Sequence, residues 1–497
     1  MSLTEREIKR GYHAIRRKAW NIYRKGEYLD TVYYLNACAL LASQFNFIYS
    51  DNELESMFKG IAENCIRRCS GYEADPDRWI LYDEFCTTYV LGVQWLEAMV
   101  KSGKKILYIT TRDIEKESRH RNIIDIVEGY GNVDIEVIPQ GNILERAQAL
   151  YDMIIQSRAS KIVLHKQPVS SLMGLVLPIL PDELKSYVIN LSDQTFWLGA
   201  DAVDYCLEFR KFGASVSLQR RGLSRQQLLM VPFYPADDAN EFAGFPPECT
   251  GDKVIIFSGG DYYKTLDEER MYWKLVRDIL KKYPQVVFLF ATKNIPEGDA
   301  GIRRFIEENH FEHRFIYIGF RPDVYQVFAH CDIYMGTSPT SGSLMSQLAA
   351  INAKPILQYY APDTPDDETE QAICINDDFR ISFQDETGFM NEADRLISDQ
   401  SYRIGQGERL KNAMMQKDQF NDLVTRTLNS NETQMPVCDY SIDYKSLDDR
   451  WYYMEKAGYT DALQLICGKL GTKACLRYAP MLLLKYKWRR IKNLFRC

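Results

Sequence analysis

The sequence lacks the long apolar runs and the clustered ligands that define several large protein classes. No segment approaches the roughly 20 apolar residues that a membrane-spanning helix needs, and the opening MSLTEREIKR has no apolar export-signal core behind it. The 12 cysteines are scattered, and the close pair Cys65 and Cys69 has no second pair or histidines at zinc-site spacing. We therefore expect a cytoplasmic protein with reduced thiols and no structural metal.

Charge and the missing phosphate-loop motifs exclude further classes. The formal net charge is −7, which argues against a nucleic-acid partner. No GxxxxGK[ST] is present, which excludes a P-loop NTPase, and no GxGxxG follows a predicted strand. Apolar residues make up 46% of the 497 residues, so the chain can form two or three domains with full cores.

What the sequence does contain is a regular alternation of strand and helix patterns. Residues 1–75 form a helical N-terminal extension, and strands then alternate with helices over 76–240. A linker rich in Pro, Gly and acidic residues precedes a second alternating series over 250–395. This alternation predicts an α/β fold of two tandem Rossmann-like doubly wound domains. Helices over 396–430 are expected to pack back on the body, and 431–497 to form a linker and a basic helical tail.

Three loops of the second predicted domain follow strands and are rich in glycine, hydroxyl groups and positive charge. Carboxyl ends of parallel strands share one edge of a sheet, so we expect these loops to converge. Together they suit a diphosphate, because glycines permit backbone approach, cations neutralise charge and a helix N-terminus offers free N–H groups. Taken singly, each loop is equally consistent with an ordinary turn, with Thr340 or Ser341 as a helix N-cap. The candidate diphosphate-binding residues are Gly259, Gly260, Lys264, Arg321, Thr340, Ser341, Gly342 and Ser343.

Two segments carry a resemblance to a known family. FIYIGFRPDVYQVFAHCDIYMGTSPTSGSLMSQLAAINAKPIL is similar to the C-terminal, donor-binding half of GT-B glycosyltransferases. LSDQTFWLGADAVDYCLEFRKFGA resembles a segment of some bacterial members, including relatives of the O-GlcNAc-transferase type. The resemblance implies a nucleotide-sugar co-substrate, with a UDP-sugar most expected, an acceptor bound by the first domain, and no cofactor or metal requirement.

The sequence departs from the family pattern at the position of a donor-binding carboxylate. Many GT-B enzymes carry a ribose-binding glutamate seven residues before the proline of the final motif, where this chain has Leu348. Residues 337–352 contain no carboxylate, which disfavours a retaining mechanism built on a glutamate pair. Gln347 or Ser346 could take over the ribose contact.

An inverting transfer needs a general base, which the resemblance places at a strand end of the first domain facing a cleft between the domains. Asp193 is the favoured candidate, because the neighbouring Phe196 and Trp197 could stack on an acceptor sugar. His165 is the second candidate. Asp83 and Glu84 also follow a predicted strand. For Asp193 and His165 the alternatives are a loop carboxylate and a core-edge histidine.

The C-terminal segment differs in kind from the rest of the chain. Residues 462–497 contain no Asp or Glu, and PMLLLKYKWRRIKNLFRC mixes apolar with basic residues. This composition is typical of a helix attracted to an anionic membrane surface, such as the inner face of the plasma membrane. The alternative is a final helix whose basic face meets the acidic body of the protein.

These observations lead to one leading hypothesis and two alternatives. The leading hypothesis is an inverting, metal-independent glycosyltransferase that acts on a cell-surface glycan, a lipid-linked acceptor or a protein. The first alternative is a catalytically inactive GT-B-like partner or acceptor-binding subunit. The second is an enzyme resembling the UDP-sugar 2-epimerases, which share this architecture but need several acidic and histidine side chains near the diphosphate.

Overall fold

The chain forms two compact units. The computed structural model describes residues 4–86, 90–112, 121–235, 240–267, 269–293, 300–360, 368–374, 380–449 and 462–494. Unit 1 comprises Met1–Val231 together with Phe420–Cys497, and unit 2 comprises Pro232–Gln419. The N-terminal helices and the C-terminal tail therefore belong to the same unit as the first sheet.

The described part of unit 1 contains a seven-stranded parallel sheet in the order β3-β2-β1-β4-β5-β6-β7. The strands are rich in Ile, Val, Leu and Tyr, and all except the edge strand β3 are buried at their carboxyl ends, as expected for strands covered on both faces. They are β1 (Asp75–Asp83), β2 (Lys105–Thr110), β3 (Val133–Val137), β4 (Ala159–His165), β5 (Lys185–Ile189), β6 (Tyr205–Glu208) and β7 (Leu228–Met230).

Helices from both ends of the chain share the core of unit 1. Ile15, Phe58, Leu164, Ile466 and Leu482 belong to one buried apolar cluster. The helices of this unit are α1 (Glu5–Tyr23), α2 (Tyr28–Phe45), α3 (Asn52–Cys65), α4 (Val90–Lys101), α5 (Arg121–Tyr130), α6 (Ile143–Ser157), α7 (Ser171–Val176), α8 (Lys211–Arg220), α17 (Ala462–Tyr478) and α18 (Pro480–Leu494). None of the described helices combines the length and the apolarity that crossing a bilayer requires.

The described residues of unit 2 form a six-stranded parallel sheet in the order β10-β9-β8-β11-β12-β13. Its strands are β8 (Val254–Gly259), β9 (Val286–Ala291), β10 (Phe315–Gly319), β11 (Ile333–Met335), β12 (Ile356–Tyr359) and β13 (Ser382–Phe383). Its helices are α9 (Met271–Lys282), α10 (Ala300–Asn309), α11 (Val324–His330), α12 (Ser343–Ile351), α13 (Glu368–Ile373), α14 (Glu386–Ser398) and α15 (Gln400–Ala413), and α16 (Lys417–Ser430) crosses the boundary between the units.

The predicted architecture of two doubly wound α/β sheets is confirmed. The sequence pattern missed β7, β13 and α8. The two strands are only three and two residues long, too short for a periodic signal, and α8 (KFGASVSLQR) buries small and hydroxyl residues rather than an apolar stripe. The sequence pattern also predicts helices over 118–128 and 299–309, whose first residues, 118–120 and 299, lie outside the described residues.

Each sheet reverses its strand order at one point, and that point is where such sheets bind ligands. In unit 1 the reversal lies between β1 and β4, and in unit 2 it lies between β8 and β11. Strands on either side of the reversal send their connections to opposite faces, which leaves a crevice beyond their carboxyl ends. Binding and catalytic side chains are therefore expected among the residues that follow these four strands.

Candidate functional site

The reversal point of unit 2 brings together the loops that follow β8 and β11. After β8 the chain turns at Gly260, whose φ of 141° disfavours other residue types, and the Gly260 N–H donates to the Ala291 carbonyl at 3.0 Å. The Thr340 N–H donates to the Lys264 carbonyl at 3.3 Å. A methyl group added to Gly342 would lie 3.9 Å from Lys264 Nζ. The structure thus joins the first and third candidate loops and places a lysine ammonium beside the start of α12.

The N-terminus of α12 has no side-chain cap. The N-cap residue is Gly342, without a side-chain hydrogen bond, so the alternative of a helix capped by Thr340 or Ser341 is wrong. Among the described residues, the hydroxyl oxygens of Ser338 and Thr340 are buried and have no hydrogen-bond partner. Ser343 is the first residue of the helix, where backbone N–H groups lack intrahelical partners. These groups together can accommodate an anion next to Lys264.

Arg321 is committed to another part of unit 2. Its Nε donates to Asp323 Oδ1 at 2.7 Å and its Nη2 to Asp323 Oδ2 at 2.5 Å, while Nη1 donates to the Gly244 carbonyl at 2.9 Å. These bonds from Arg321 lower the pKa of Asp323 to about 2 against the opposing effect of burial. The guanidinium also faces the rings of Phe242 and Phe245. Within unit 2, Arg321 therefore holds the segment around Gly244 against the loop that follows β10.

Leu348 is buried, and its neighbours provide the polar atoms of this part of α12. The side-chain amide of Gln347 donates to the Phe233 and Ala372 carbonyls at 2.9 and 2.8 Å. Among the described residues, Gln347 Oε1 and Ser346 Oγ are buried without a hydrogen-bond partner. Both of the residues expected to replace the glutamate thus retain an unpaired oxygen atom.

The reversal point of unit 1 pairs a histidine with an aspartate. Asp83 ends β1 and His165 ends β4, and the two residues are partners in the parallel register. His165 Nδ1 lies 2.8 Å from Asp83 Oδ1, and both side chains are fully buried. In the part of the chain that the structure describes, the other ring nitrogen, His165 Nε2, has no hydrogen-bond partner. This pair is hereafter called the dyad.

The dyad is held by donors from three further residues. Asp83 Oδ1 accepts the Phe85 and Cys86 N–H groups at 3.0 and 2.9 Å, and Oδ2 accepts the Tyr108 hydroxyl at 2.7 Å. Burial raises the pKa of Asp83, but the attraction of His165 and these hydrogen bonds outweigh it, so the net shift is downward. Asp83 is therefore a stable carboxylate that orients the imidazole.

Helix α4 approaches the dyad through a glycine. A methyl group added to Gly92 would lie 2.3 Å from Asp83 Oδ2 and 3.3 Å from His165 Nδ1. On the other side, the partly exposed ring of Phe85 lies with its centroid 4.8 Å from that of the imidazole. The dyad is thus enclosed by close packing.

The residues next to the dyad form a second buried polar group. Glu84 accepts the Gln167 N–H at 2.9 Å and the Ser170 hydroxyl at 3.0 Å, and burial raises its pKa. Lys166 donates to the Leu198 carbonyl at 2.7 Å, and burial lowers its pKa to about 8. Both side chains are already engaged in holding loops, which makes Glu84 a weaker base candidate than His165.

Asp193, the favoured candidate base, lies in a buried ion pair. Its two carboxylate oxygens accept from Arg210 Nε at 2.5 Å and Arg210 Nη2 at 2.9 Å, and both side chains are almost wholly buried. The loop that carries Asp193 is further held by Arg221, which donates to the Asp193 and Thr195 carbonyls. This geometry is that of a structural pair joining the ends of β5 and β6.

The aromatic pair beside Asp193 is not available as a stacking surface in this structure. Phe196 and Trp197 are buried and belong to the core of unit 1. The Trp197 ring lies 5.0 Å from the Lys166 ammonium and 5.4 Å from the Arg221 guanidinium. The expectation of an exposed sugar platform is wrong, because the 190–204 loop folds inward.

Sequence reasoning missed two residues of the site, Tyr108 and Gly92. Tyr108 lies inside the apolar strand KILYIT, and Gly92 lies inside a helical pattern. A glycine inside a helix costs stability and so suggests a packing reason, and that signal could have drawn attention to Gly92. Nothing in the sequence distinguishes Tyr108 from a core tyrosine.

Comparisons with known proteins define the fold but not a sequence family. No protein-family model matches the chain, and no curated protein matches it in sequence.

Solved structures match over most of the chain. A glycosyltransferase from Rickettsia africae has 10% identity and a TM-score of 0.50, covering 72% of this chain and 98% of its own. A protein described as a UDP-N-acetylglucosamine 2-epimerase from Listeria monocytogenes has 10% identity and a TM-score of 0.50, covering 74% and 100%. Anabaena Alr3699/HepE in complex with UDP and glucose has 12% identity and a TM-score of 0.49, covering 71% and 99%.

These identities are low, so the likeness concerns the fold alone. The matched structures include a glycosyltransferase and a protein described as a UDP-N-acetylglucosamine 2-epimerase, and almost the full length of each is covered by the match. The two doubly wound sheets, each with a polar cluster at its reversal point, agree with that likeness. The resemblance drawn from the sequence is therefore confirmed at the level of architecture: this chain has the GT-B fold.

Proposed function

We propose that the protein is an inverting glycosyltransferase that takes a sugar from a nucleoside-diphosphate donor, most expected to be UDP. The observation that carries this proposal is the dyad. It places a buried imidazole nitrogen without a described partner at the reversal point of unit 1, backed by a carboxylate of lowered pKa. A histidine in this arrangement suits general-base catalysis near neutral pH.

The reaction follows from the two polar clusters. His165 Nε2 takes the proton of an acceptor hydroxyl while that oxygen bonds to the anomeric carbon of the donor sugar. The bond between this carbon and the diphosphate oxygen breaks, and the nucleoside diphosphate leaves with the electron pair. Asp83 stabilises the imidazolium that forms. Because His165 is enclosed in this structure, the proposal includes displacement of the partly exposed Phe85 ring by the acceptor.

The donor diphosphate is proposed to bind at the reversal point of unit 2. Lys264 and the uncapped start of α12 supply positive charge and N–H donors to the leaving group. Gly259 and Gly260 let the phosphates approach the backbone, and the hydroxyl groups of Ser338 and Thr340 supply further donors.

A nucleobase surface is proposed two strands from the diphosphate site. Phe320 follows β10 and is 60% exposed, with the Lys293 ammonium 5.4 Å from its ring centroid. β10 and β8 are separated by one strand, about 10 Å at 4.8 Å per strand, which is comparable to the span of a nucleoside diphosphate. An exposed ring at this distance suits stacking of a base.

The first experiment is a ligand screen by thermal shift, because a ligand that binds only the folded state raises the melting temperature. We expect stabilisation by UDP or another nucleoside diphosphate, lost in Lys264→Ala. The matched control is Lys253→Ala, which removes the same charge just before the amino end of β8, the strand that Lys264 follows. Phe320→Ala should weaken nucleotide binding but leave pyrophosphate binding unchanged. No nucleotide binding at millimolar concentration would favour the inactive-partner alternative.

The epimerase alternative rests on the equal likeness to the Listeria protein. The decisive test is to incubate UDP-N-acetylglucosamine with the protein in the absence of an acceptor. An epimerase inverts carbon 2 of the sugar under these conditions, whereas a transferase leaves that carbon unchanged. Transfer to a glycan, lipid-linked or protein acceptor, abolished in His165→Ala, supports the proposed function.

We also propose peripheral association with a membrane, as expected if the acceptor is lipid-linked.

A further inference from the structure

The C-terminal helices present one exposed face along their length. Gly471 interrupts α17 with a φ of 68° and a ψ of 161°, and the helix then continues into α18. The Ala479 N–H donates to the Cys475 carbonyl at 2.9 Å, and the Leu483 N–H donates to the Ala479 carbonyl at 3.3 Å. The Leu483 bond spans Pro480, and a single residue outside the helices, Ala479, separates α17 from α18. Residues 472–494 are hereafter called the rod.

The inner face of this rod packs into unit 1. Cys475, Ala479, Leu482 and Leu483 are buried in the core cluster that also contains residues of α1 and α2. The apolar residues that the sequence shows in PMLLL are thus divided between two faces, with Leu482 and Leu483 inside and Leu484 outside. Packing of the inner face fixes the direction of the outer one.

The outer face alternates apolar and basic side chains. At 100° per residue the exposed positions fall within one stripe of the helical surface. Leu476, Leu484 and Trp488 are 58%, 52% and 44% exposed. We define the outer stripe as Lys473, Leu476, Arg477, Leu484, Lys487 and Trp488. Single exposed apolar residues are common on protein surfaces, but three on one stripe with three cations between them form a pattern.

We propose that the outer stripe binds an anionic lipid surface, with Leu476, Leu484 and Trp488 inserted among the headgroups and the three cations facing lipid phosphates. Charge complementarity identifies the occupant, because residues 462–497 carry nine Lys and Arg and no carboxylate, which disfavours the pairing of this face with a second copy of itself. A tryptophan beside leucines and cations is typical of interfacial helices. Of the basic side chains that the structure describes in this segment, Lys469, Lys473, Arg477 and Lys487 are exposed and Lys485 is buried, so the described basic residues do not share a face turned onto the protein body.

This inference deepens the proposed function by specifying the partner surface, and its biological meaning rests on that function. The test of membrane binding is independent of it. The full chain is sedimented with vesicles of phosphatidylcholine alone and with vesicles that also contain phosphatidylglycerol. We expect binding only to the anionic vesicles, strong at about 0.1 M salt and weak at about 1 M salt, where the screening length falls from about 10 Å to about 3 Å.

Three variants separate the contributions. Leu484→Glu with Trp488→Glu should abolish binding, and Ile404→Glu, at a residue 55% exposed in α15 of unit 2, should leave it unchanged. Lys473→Gln with Arg477→Gln and Lys487→Gln should weaken binding on the order of a hundredfold, at about one kcal/mol per cation near the surface. These side chains are exposed, so all variants should retain the thermal unfolding of the parent protein.

Three outcomes would overturn the inference. One is failure of the folded parent protein to bind anionic vesicles. Another is equal binding by the parent and the Leu484/Trp488 variant. Dimerisation of the parent that is lost in this variant, without vesicle binding, would assign the stripe to a second copy and also overturn it. Nucleotide binding in the thermal-shift screen is read separately, so vesicle binding without nucleotide binding would refute the proposed function alone.

Discussion

Gly92→Ala is the sharpest test of the dyad, because it adds one methyl group at a position where the structure leaves no space. The added carbon would lie 2.3 Å from Asp83 Oδ2, whereas carbon–oxygen contacts are normally about 3.3 Å or longer. Asp83 is held by four hydrogen bonds and cannot easily yield. We therefore expect the carboxylate and His165, or helix α4, to move by about 1 Å, and a misplacement of that size costs about a hundredfold in rate.

The expected stability change is smaller than the expected change in rate. Alanine improves a helix over glycine by about 0.5–1 kcal/mol, and overpacking costs about 1–3 kcal/mol, so the net loss is at most about 2.5 kcal/mol. The loss in rate corresponds to about 2.7 kcal/mol of transition-state stabilisation.

The assay compares sugar transfer at saturating donor with nucleotide affinity for the parent and the variant. We expect kcat to fall about a hundredfold while nucleotide affinity stays unchanged, because the proposed donor site lies in unit 2. The matched control is Gly405→Ala in helix α15, where an added methyl group meets no atom within 4 Å, and which should keep full activity. A folded Gly92→Ala protein with parental turnover would show that the dyad is not the base.

Three further predictions concern charged residues outside the proposed chemistry. Arg321→Ala should destabilise unit 2 by about 3–5 kcal/mol in denaturant unfolding, because it leaves the buried Asp323 unpaired; a folded variant that has lost nucleotide binding would instead support Arg321 as a donor ligand. Asp193→Leu combined with Arg210→Leu should fold and keep transferring sugar, since the two charges neutralise each other, and a folded but inactive double variant would restore Asp193 as the base. Burial lowers the pKa of Lys166 from 10.5 to about 8, so the unfolded chain binds more protons between these values and stability should rise with pH there. Lys166→Met should flatten this rise by about 3 kcal/mol, and an unchanged pH profile in urea unfolding would contradict the buried state of the lysine.

The fold could be predicted from the sequence because its signal is local. Apolar strands such as KVIIFSGG and small-residue loops such as TSPTSG mark carboxyl ends without knowledge of strand order. The convergence of Gly260, Lys264 and Gly342 followed from these local signals alone. The pairing of Asp83 with His165, 82 residues apart, did not, because it depends on β1 and β4 being neighbours. Asp193 was preferred over His165 because Phe196 and Trp197 stand beside it in the sequence; its pairing with Arg210, which follows β6, is a tertiary contact that the sequence does not reveal.

The two strand-end carboxylates of unit 1 show why a partner decides which group is available for catalysis. Both carboxylate oxygens of Asp193 accept from Nε and Nη2 on one edge of the Arg210 guanidinium, so taking a proton from a substrate would break a buried ion pair. Asp83 is equally buried, but its partner is an imidazole with two nitrogen atoms. One nitrogen is spent on the carboxylate, and the other keeps its lone pair or proton for exchange. A histidine paired with an aspartate thus keeps one nitrogen for proton transfer, whereas an aspartate paired with an arginine has both carboxylate oxygens occupied. The same burial that stabilises both pairs therefore favours His165 as the base.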